Sequence, residues 1–345
     1  MSDHLHMGQW EKRWHPLRNE WIVYAAHRNS RPWNFAAKEN KSGETVYDPD
    51  CYLCPRNTRV SGKVNPDYKD IFIFDNDHPV VGVNAPAIPE EQLYRHEGLY
   101  KKQKAGGIAR VVCYDPRHNV TLSDVSVSQV HKVFIALREQ MKFFESNQSI
   151  RSVLIFENKG EVVGVSNPHP HCQIYATDFV FKVFEKELQA MDDYTRDHSK
   201  NIFEEIILAE KKDGSRIIAE NEQALAFIPF FARFAYETYI FPRKRHATLI
   251  TMNDDELKGL AELFQIVTKK FDLNFRMSFP YILIFAQSPV DGNNYEGYHT
   301  HLIISPPLRQ PGILKYLAGP ETGADTFMAD TIPEEKAAEL RNIVV

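Results

Sequence analysis

Residues 109–118, ARVVCYDPRH, and residues 236–246, YETYIFPRKRH, begin two stretches that repeat the same order of features. Each ends on a histidine and is followed by a Thr-Leu pair, a helix-like pattern and an apolar run. Each copy then closes on a His-x-His pair, at 169–171 and at 299–301, so that the last histidine follows the first by 53 residues in one copy and 55 in the other. So many elements in one order predict an internal duplication.

Each copy predicts the same secondary structure. Runs rich in Val, Ile, Phe and Tyr are typical of strands. Between them, apolar residues recur three and four apart, from Val130 to Phe144 and from Leu257 to Phe271, which predicts one amphipathic helix per copy. Antiparallel strands with a helix on one face form an α+β layer. We therefore expect an α+β protein with antiparallel sheets and helices packed on them, divided into residues 1–195 and 196–345.

Length and composition exclude several classes of protein. A chain of 345 residues is longer than one compact core usually needs, which favours two domains or one pseudo-symmetric double domain. The net charge of −5 argues against a nonspecific nucleic-acid surface, which depends on a basic excess. The longest apolar run, residues 281–286, is far shorter than the ~20 residues of a membrane helix. The polar residues 1–10 do not resemble a signal peptide, so we expect a cytoplasmic protein with neither a membrane nor a nucleic acid as partner.

The four cysteines are too few for a disulfide framework. Cys51 and Cys54 form a Cys-x-x-Cys pair, whereas Cys113 and Cys172 are isolated. Such a pair is half of a metal site or a redox motif. A redox pair is expected at the start of a helix, and here turn-forming residues surround the pair, which favours the metal. The other ligands must come from elsewhere in the chain.

The segment 164–173, GVSNPHPHCQ, carries the most chemical information. On an extended strand His169 and His171 point the same way, and Gln173 lies on the same face, because side chains alternate. The proline between the histidines suits a strand start or a sheet edge. The pair could chelate a metal, provide a nucleophile or be two core imidazoles. The small residues upstream leave room for a ligand and favour a functional role.

The string SNPHPH at 166–171, with Gln173 behind it, resembles the galactose-1-phosphate uridylyltransferase family of the histidine-triad superfamily. Further matching strings follow in the family's order over nearly the whole chain: His27-Arg28-x-x-Arg31-Pro-Trp33, Cys51-x-x-Cys54, Phe74-Asp-Asn76-Asp77, residues 110–118, Phe156-Glu-Asn158-Lys-Gly160, Phe279-Pro-Tyr281, His299-x-His301 and residues 315–321. The resemblance implies a duplicated histidine-triad-like fold, with the nucleophile and a zinc site in the first domain, and a homodimer. It also implies ping-pong exchange of UMP between UDP-glucose and galactose 1-phosphate.

By this resemblance, His171 attacks the α-phosphorus of UDP-glucose and carries the uridylyl group. A neutral imidazole is a good phosphorus nucleophile at pH 7, and its second ring nitrogen should be held by a backbone carbonyl. Gln173 can donate to a phosphate oxygen on which charge builds. The resemblance adds contacts to phosphate, nucleotide and sugar phosphate: Arg28 and Arg31 to phosphate, Asn76, Asp77, Asn158 and Ser166 to the nucleotide, and Lys315 and Glu321 to the sugar phosphate. Asp77 would accept hydrogen bonds from the ribose hydroxyls.

The resemblance also completes the metal site. His118 and His169 join the two cysteines 51 and 54 in a Cys₂His₂ set, which suits a structural zinc ion. Some family members bind a second metal, iron, through a glutamate and three histidines. Glu187, His299 and His301 match three of these ligands, but Ala286 stands in place of the remaining histidine. We therefore expect the second site to be weakened or absent.

Two further positions depart from the family pattern. Cys172 stands where glycine is common, and we expect it to be a small packing residue that narrows the space beside the nucleophile. Phe327 stands where a sugar-binding glutamine is expected. The alternatives to the uridylyltransferase are an ADP-glucose or dinucleoside-polyphosphate phosphorylase of the same superfamily and a non-catalytic nucleotide-binding protein.

Overall fold

The computed structural model describes residues 10–25, 45–90, 94–97, 99–165 and 167–345. The helices are α1 (Val127–Glu145), α2 (Lys182–His198), α3 (Ile202–Asp213), α4 (Asp254–Phe275), α5 (Gly319–Ala324) and α6 (Pro333–Arg341). The strands are β1 (Trp10–His15), β2 (Glu20–Ala25), β3 (Phe72–Asp75), β4 (Tyr94–Arg95), β5 (Tyr100–Lys101), β6 (Gly107–Cys113), β7 (Ser152–Lys159), β8 (His171–Thr177), β9 (Ile217–Glu220), β10 (Ala224–Phe227), β11 (Thr238–Pro242), β12 (Tyr281–Ala286), β13 (His301–Ser305), β14 (Leu308–Gln310), β15 (Ile313–Leu314) and β16 (Met328–Ala329).

Nine of these strands form one continuous antiparallel sheet in the order β3-β6-β8-β7-β12-β13-β11-β10-β9. Its centre is the pairing of β7 with β12, in which Lys159 lies opposite Tyr281. On either side of that pairing the order mirrors itself: β8, β6 and β3 on one side correspond to β13, β11 and β10 on the other. The predicted α+β class and the internal duplication are confirmed.

Side-chain caps fix the first turns of the two long amphipathic helices. The hydroxyl of Ser126 accepts a hydrogen bond from the backbone N–H of Gln129 at the start of α1. Asn253 and Glu256 form a capping box at the start of α4. Both helices pack on the same face of the sheet and share one hydrophobic core with residues of all its central strands.

The opposite face of the sheet is covered differently in the two halves. In the C-terminal half, α2 and α3 pack on it and contribute Phe184 and Phe203 to a second core. In the N-terminal half, Val111 and Cys113 instead pack against a small cluster around residues 51–68. The N-terminal half therefore presents this face of β6 to a loop segment rather than to helices.

The ends of the described chain meet in a separate sheet. The hairpin of β1 and β2 pairs through β2 with β16, in parallel. Arg13 of the hairpin donates to the carbonyl oxygen of Phe230 at 3.2 Å and to Glu334 of α6 at 3.0 Å. The expected boundary at 195/196 falls inside α2, and the division into two domains stays a prediction. Among the described residues, no helix is long and apolar enough to cross a bilayer.

Phe134 of α1 links the two copies and provides a test of the shared core. Its ring is fully buried and lies 5.9 Å from that of Phe264 on α4 and 5.3 Å from that of Phe285 on β12. We expect Phe134→Ala to lower the free energy of unfolding by about 3–5 kcal/mol, measured by urea denaturation, because it leaves a cavity in the core. Phe143→Ala on the exposed side of α1 should cost under about 1 kcal/mol. Equal losses in the two variants would contradict this prediction.

Candidate functional site

His171 is the first residue of β8, and its ring is fixed by the backbone of the residue two positions earlier. Its Nδ1 lies 2.7 Å from the carbonyl oxygen of His169. A carbonyl only accepts, so Nδ1 carries the proton and Nε2 keeps its lone pair. Burial lowers the pKa of His171, and the hydrogen bond to His169 only partly offsets that effect. The imidazole is therefore neutral at pH 7, with Nε2 available for bonding.

The alternation of side chains along β8 separates the reactive face from the core. His171, Gln173 and Tyr175 are half-buried, whereas Cys172 and Ile174 are buried in the main core with α1 and α4. The Cys172 thiol therefore packs on the helix side of the strand instead of beside the imidazole. Burial raises the pKa of Cys172, so the thiol stays protonated at neutral pH.

Gln173 is oriented by two donors. Its Oε1 accepts from Asn76 Nδ2 at 3.4 Å and from the Tyr175 hydroxyl at 3.2 Å. The side-chain amide N–H groups of Gln173 are thereby left to donate to a ligand. Asn158 and His171 line one cavity together. A second, smaller cavity is lined by Gln173 as well as by His171 and Asn158. The structure brings Asn76, Asn158, His171 and Gln173 together, and their roles stay a prediction.

The expected metal ligands also converge. Cys51, Cys54, His118 and His169 are buried, and their donor atoms all lie within 4.8 Å of one another. The Cys54 sulfur lies 3.7 Å from His118 Nδ1 and 3.6 Å from His169 Nδ1. Zinc bonds of about 2.3 Å to sulfur and about 2.0 Å to nitrogen place tetrahedral ligands roughly 3.5 Å apart. The spacing and donor types therefore fit a tetrahedral metal ion.

Neighbouring groups orient these ligands. The Tyr68 hydroxyl lies 2.9 Å from His169 Nε2, so the other ring nitrogen, Nδ1, faces the cysteines. Burial, together with His118 and His171, lowers the pKa of His169 to about 3, and burial raises the pKa of Cys54 to about 12. Neutral imidazoles can bind a cation without losing a proton, and a bound cation would favour the Cys54 thiolate.

The second metal site is not assembled. Glu187, His299 and His301 are buried, and Ala286 beside His301 offers no donor atom. His301 Nδ1 lies 2.9 Å from the carbonyl oxygen of His299, which repeats the geometry of the 169–171 pair. In the described ranges, however, the four-ligand cluster is the only group of three or more such side chains with donor atoms close enough to share a metal. The residues at the second site do not fit iron.

Lys315 and Glu321 form a site of their own. Lys315 Nζ donates to Glu321 Oε1 and, at 2.7 Å, to the carbonyl oxygen of Met328. The cavity that they line shares no lining residue with the cavity beside His171. Phe327 does not line the cavity of Lys315 and Glu321. The centre of its ring lies 5.7 Å from the centre of the Phe234 ring and 4.6 Å from the guanidinium carbon of Arg233. Three further expected contacts, Arg28, Arg31 and Ser166, lie outside the described residues.

Three residues near the site were not predicted as parts of it. Tyr68 contacts His169, an expected metal ligand, and Arg59 lies 3.7 Å from the Asp77 carboxylate. Glu157 is buried in β7 and accepts from the Tyr281 hydroxyl at 3.2 Å. The one sequence signal for Glu157 is its place in the strand pattern. It is a carboxylate two residues after Ile155 and four after Val153, on the face of the strand that those apolar residues turn to the core. Tyr68 and Arg59 carry no such signal, because their partners are distant in sequence.

Comparisons with known proteins find the same family along nearly the whole chain. The family profiles of the galactose-1-phosphate uridyl transferase N-terminal and C-terminal domains match residues 2–180 and 187–344. A curated galactose-1-phosphate uridylyltransferase from Haemophilus influenzae is 33% identical over 96% of this chain and 93% of its own. A solved uridylyltransferase structure is 30% identical with a TM-score of 0.77, covering 96% of this chain and 97% of its own.

A second solved structure shares the fold at lower identity. It is an ADP-glucose phosphorylase from Arabidopsis thaliana with bound ADP-glucose, 23% identical with a TM-score of 0.77, and it covers 98% of this chain and 100% of its own. At that identity the likeness extends to the fold alone.

Glu157 should make the stability of the protein depend on pH. Burial raises its pKa from the ordinary 4.5 to about 7. Between these values the folded protein keeps a proton that the unfolded chain has lost, so the free energy of unfolding falls as pH rises. From pH 5 to pH 8 the wild type should lose about 2 kcal/mol more than Glu157→Gln, measured by urea denaturation. Glu145→Gln, on the exposed side of α1, is the control and should follow the wild type. A wild type and a Glu157→Gln variant with parallel pH profiles would contradict the prediction.

Proposed function

Because the chain belongs to the galactose-1-phosphate uridyl transferase family, we propose that it is a UDP-glucose–hexose-1-phosphate uridylyltransferase that moves UMP from UDP-glucose to galactose 1-phosphate. The observation that carries the proposal is the 2.7 Å hydrogen bond from His171 Nδ1 to the carbonyl oxygen of His169. It leaves Nε2 as a nucleophile beside the cavity that Asn158 also lines.

The reaction has two displacements at the same phosphorus. In the first, the Nε2 lone pair of His171 bonds to the α-phosphorus of UDP-glucose, and the bond to the bridging oxygen breaks with its electron pair on glucose 1-phosphate. In the second, a phosphate oxygen of galactose 1-phosphate attacks the same phosphorus and neutral His171 leaves. Because Nε2 starts without a proton and ends without one, neither step needs a separate base at this residue.

The proposed roles of the surrounding residues follow their chemistry. Gln173 donates its amide N–H groups to a non-bridging phosphate oxygen as charge builds there, since its Oε1 is already occupied by Asn76 and Tyr175. The other proposed contacts are those expected from the family pattern: Arg28 and Arg31 with phosphate, Asn76, Asp77, Asn158 and Ser166 with the nucleotide, and Lys315 and Glu321 with the sugar phosphate.

We also propose that Cys51, Cys54, His118 and His169 bind zinc. The ion would supply four bonds that fix the residues 51–54 against β6 and β8. His169 contributes through two different atoms, its Nδ1 toward the metal and its carbonyl oxygen toward His171. Ligation of His169 would therefore help to hold the ring of His171 in one orientation.

Homodimer formation and a cytoplasmic location complete the proposal. The four cysteines of the chain are free thiols, the state that a reducing compartment maintains. The homodimer rests on the family resemblance, and sedimentation velocity of the pure protein distinguishes it from a monomer.

His171→Asn should abolish the covalent intermediate, because asparagine has no nucleophilic nitrogen. Intact mass spectrometry after incubation with UDP-glucose should detect a uridylyl adduct on the wild type and none on the variant, and kcat should fall by about three orders of magnitude or more. His198→Asn, at the exposed end of α2, should keep both adduct and activity. An adduct on His171→Asn would refute the assigned nucleophile.

The same assay identifies the preferred nucleobase of the substrate and the acceptor of the nucleotidyl group. The uridylyltransferase predicts faster adduct formation from UDP-glucose than from ADP-glucose, and discharge of the adduct by galactose 1-phosphate. Faster reaction with ADP-glucose, together with discharge by inorganic phosphate, would assign the phosphorylase instead.

Cys51→Ser should lower the zinc content, because serine is a poor zinc ligand at neutral pH. We expect about one zinc ion per wild-type chain by elemental analysis, and a lower zinc content and melting temperature in the variant. Cys172→Ala, on the helix side of β8, should keep its zinc. Active wild-type enzyme without zinc would contradict the proposal.

A further inference from the structure

Arg59 is a cation that the reaction described above leaves without a role. Only 9% of its side chain is exposed. It lies five residues after Cys54, in a small hairpin where Thr58 bridges to Val64 and the Arg59 backbone N–H donates to Lys63 at 2.8 Å. The same segment that holds the two cysteines therefore determines where the guanidinium lies.

The guanidinium of Arg59 lies between an aromatic ring and a carboxylate, both of which attract a cation. Its carbon lies 4.2 Å from the centre of the Phe74 ring, and its Nη1 lies 3.7 Å from Asp77 Oδ1. Asp77 is 13% exposed, so water screens this ion pair only weakly. Nε and Nη1 of Arg59 are buried without a hydrogen-bond partner. The pair thus attracts through charge, and the Asp77 oxygen keeps its lone pairs for another donor.

The backbone around Asp77 is fixed independently of Arg59. Phe74 pairs with Val111 in the sheet, and the Asn76 backbone N–H donates to Ala109 at 2.8 Å. The Asn76 side chain accepts from the His78 backbone N–H at 2.9 Å and reaches Gln173 at 3.4 Å. Asn76 therefore contacts Gln173, two residues after His171, and Arg59 is the charged neighbour of the Asp77 carboxylate.

We propose that Arg59 is a positioning residue for the nucleotide. It holds the Asp77 carboxylate in place for the ribose hydroxyls through the 3.7 Å ion pair, and it makes the binding of the ribose depend on the intact segment 51–65. The inference rests on the proposed function in one respect, that Asp77 accepts from the ribose of the substrate.

The test compares two substrates on matched variants. Arg59→Met removes the charge and keeps the length of the side chain, and Arg56→Met is the control on the same loop, where Arg56 is 68% exposed. With UDP-glucose, Arg59→Met should raise KM about tenfold and change kcat less than about twofold, since a charge-assisted contact to the bound ribose is weakened. The wild type should discriminate against the 2′-deoxyribose analogue of UDP-glucose, and Arg59→Met should lose most of that discrimination.

A double-mutant cycle separates a role through Asp77 from a general loss of structure. Arg59→Met combined with Asp77→Asn should be no weaker in KM than Asp77→Asn alone, because the two residues act in series. Arg59→Lys keeps the charge and should keep the discrimination between the two substrates. Zinc content should stay at the wild-type value in all these variants. If Arg59→Met does not fold, the discrimination between UDP-glucose and its 2′-deoxyribose analogue is measured on Arg59→Lys and Asp77→Asn instead. The inference then requires that Arg59→Lys keeps this discrimination and that Asp77→Asn loses it.

Several outcomes would overturn the inference. They are additive effects in the cycle, an equal rise of KM for both substrates in Arg59→Met, or loss of discrimination in Arg59→Lys. A wild type that forms no adduct from UDP-glucose would overturn the proposed function itself. A wild type that forms the adduct, with Arg59→Met kinetically unchanged, would overturn the role of Arg59 alone.

Discussion

The antiparallel pairing of β7 with β12 is the interaction on which the rest of the structure depends. It joins the two copies edge to edge, so that one sheet carries both and α1 and α4 can share a single core across the junction. Neither copy would bury its central edge without the other, and an unpaired strand edge exposes backbone groups that seek a partner. The site beside His171 is built on β8, the immediate neighbour of β7, and so lies one strand away from that central pairing.

The two copies kept one piece of geometry and diverged in what surrounds it. In both, the second histidine of the His-x-His pair is held through Nδ1 by the carbonyl oxygen of the first. In the C-terminal copy the helices α2 and α3 seal that face, and His301 is fully buried among aromatic rings. In the N-terminal copy the metal-ligand segment covers less of the face, and His171 stays half-buried beside a cavity. The proposed nucleophile lies in the copy with the less complete cover.

The duplication, the two long helices and the Cys51–Cys54 half of the metal site could be predicted because they depend on spacing within the sequence, whereas His118 and His169 were assigned by the family resemblance. The cap of α1 is a local interaction, in which Ser126 accepts a hydrogen bond from the backbone three residues later. The Cys-x-x-Cys pair is likewise local, and its place among turn-forming residues favours metal binding over a redox role. Glu157 and Arg59 could not be placed in the same way. The environment of Glu157 is created by strands and tyrosines far away in sequence, and the guanidinium of Arg59 meets Asp77 only when two loops converge. Distances across a fold are not encoded in local pattern.

The central position of β7 also has a consequence for synthesis of the chain on the ribosome. β7 ends at residue 159 and its partner β12 begins at residue 281. At about 5–20 residues per second, the nascent chain waits roughly 6–24 s between the two. During that interval β7 is an edge strand, and its charged residues Glu157 and Lys159 are of the kind that discourages pairing with another chain. Two side chains that are buried in the finished sheet are thus of a kind that disfavours edge-to-edge pairing while the sheet is incomplete.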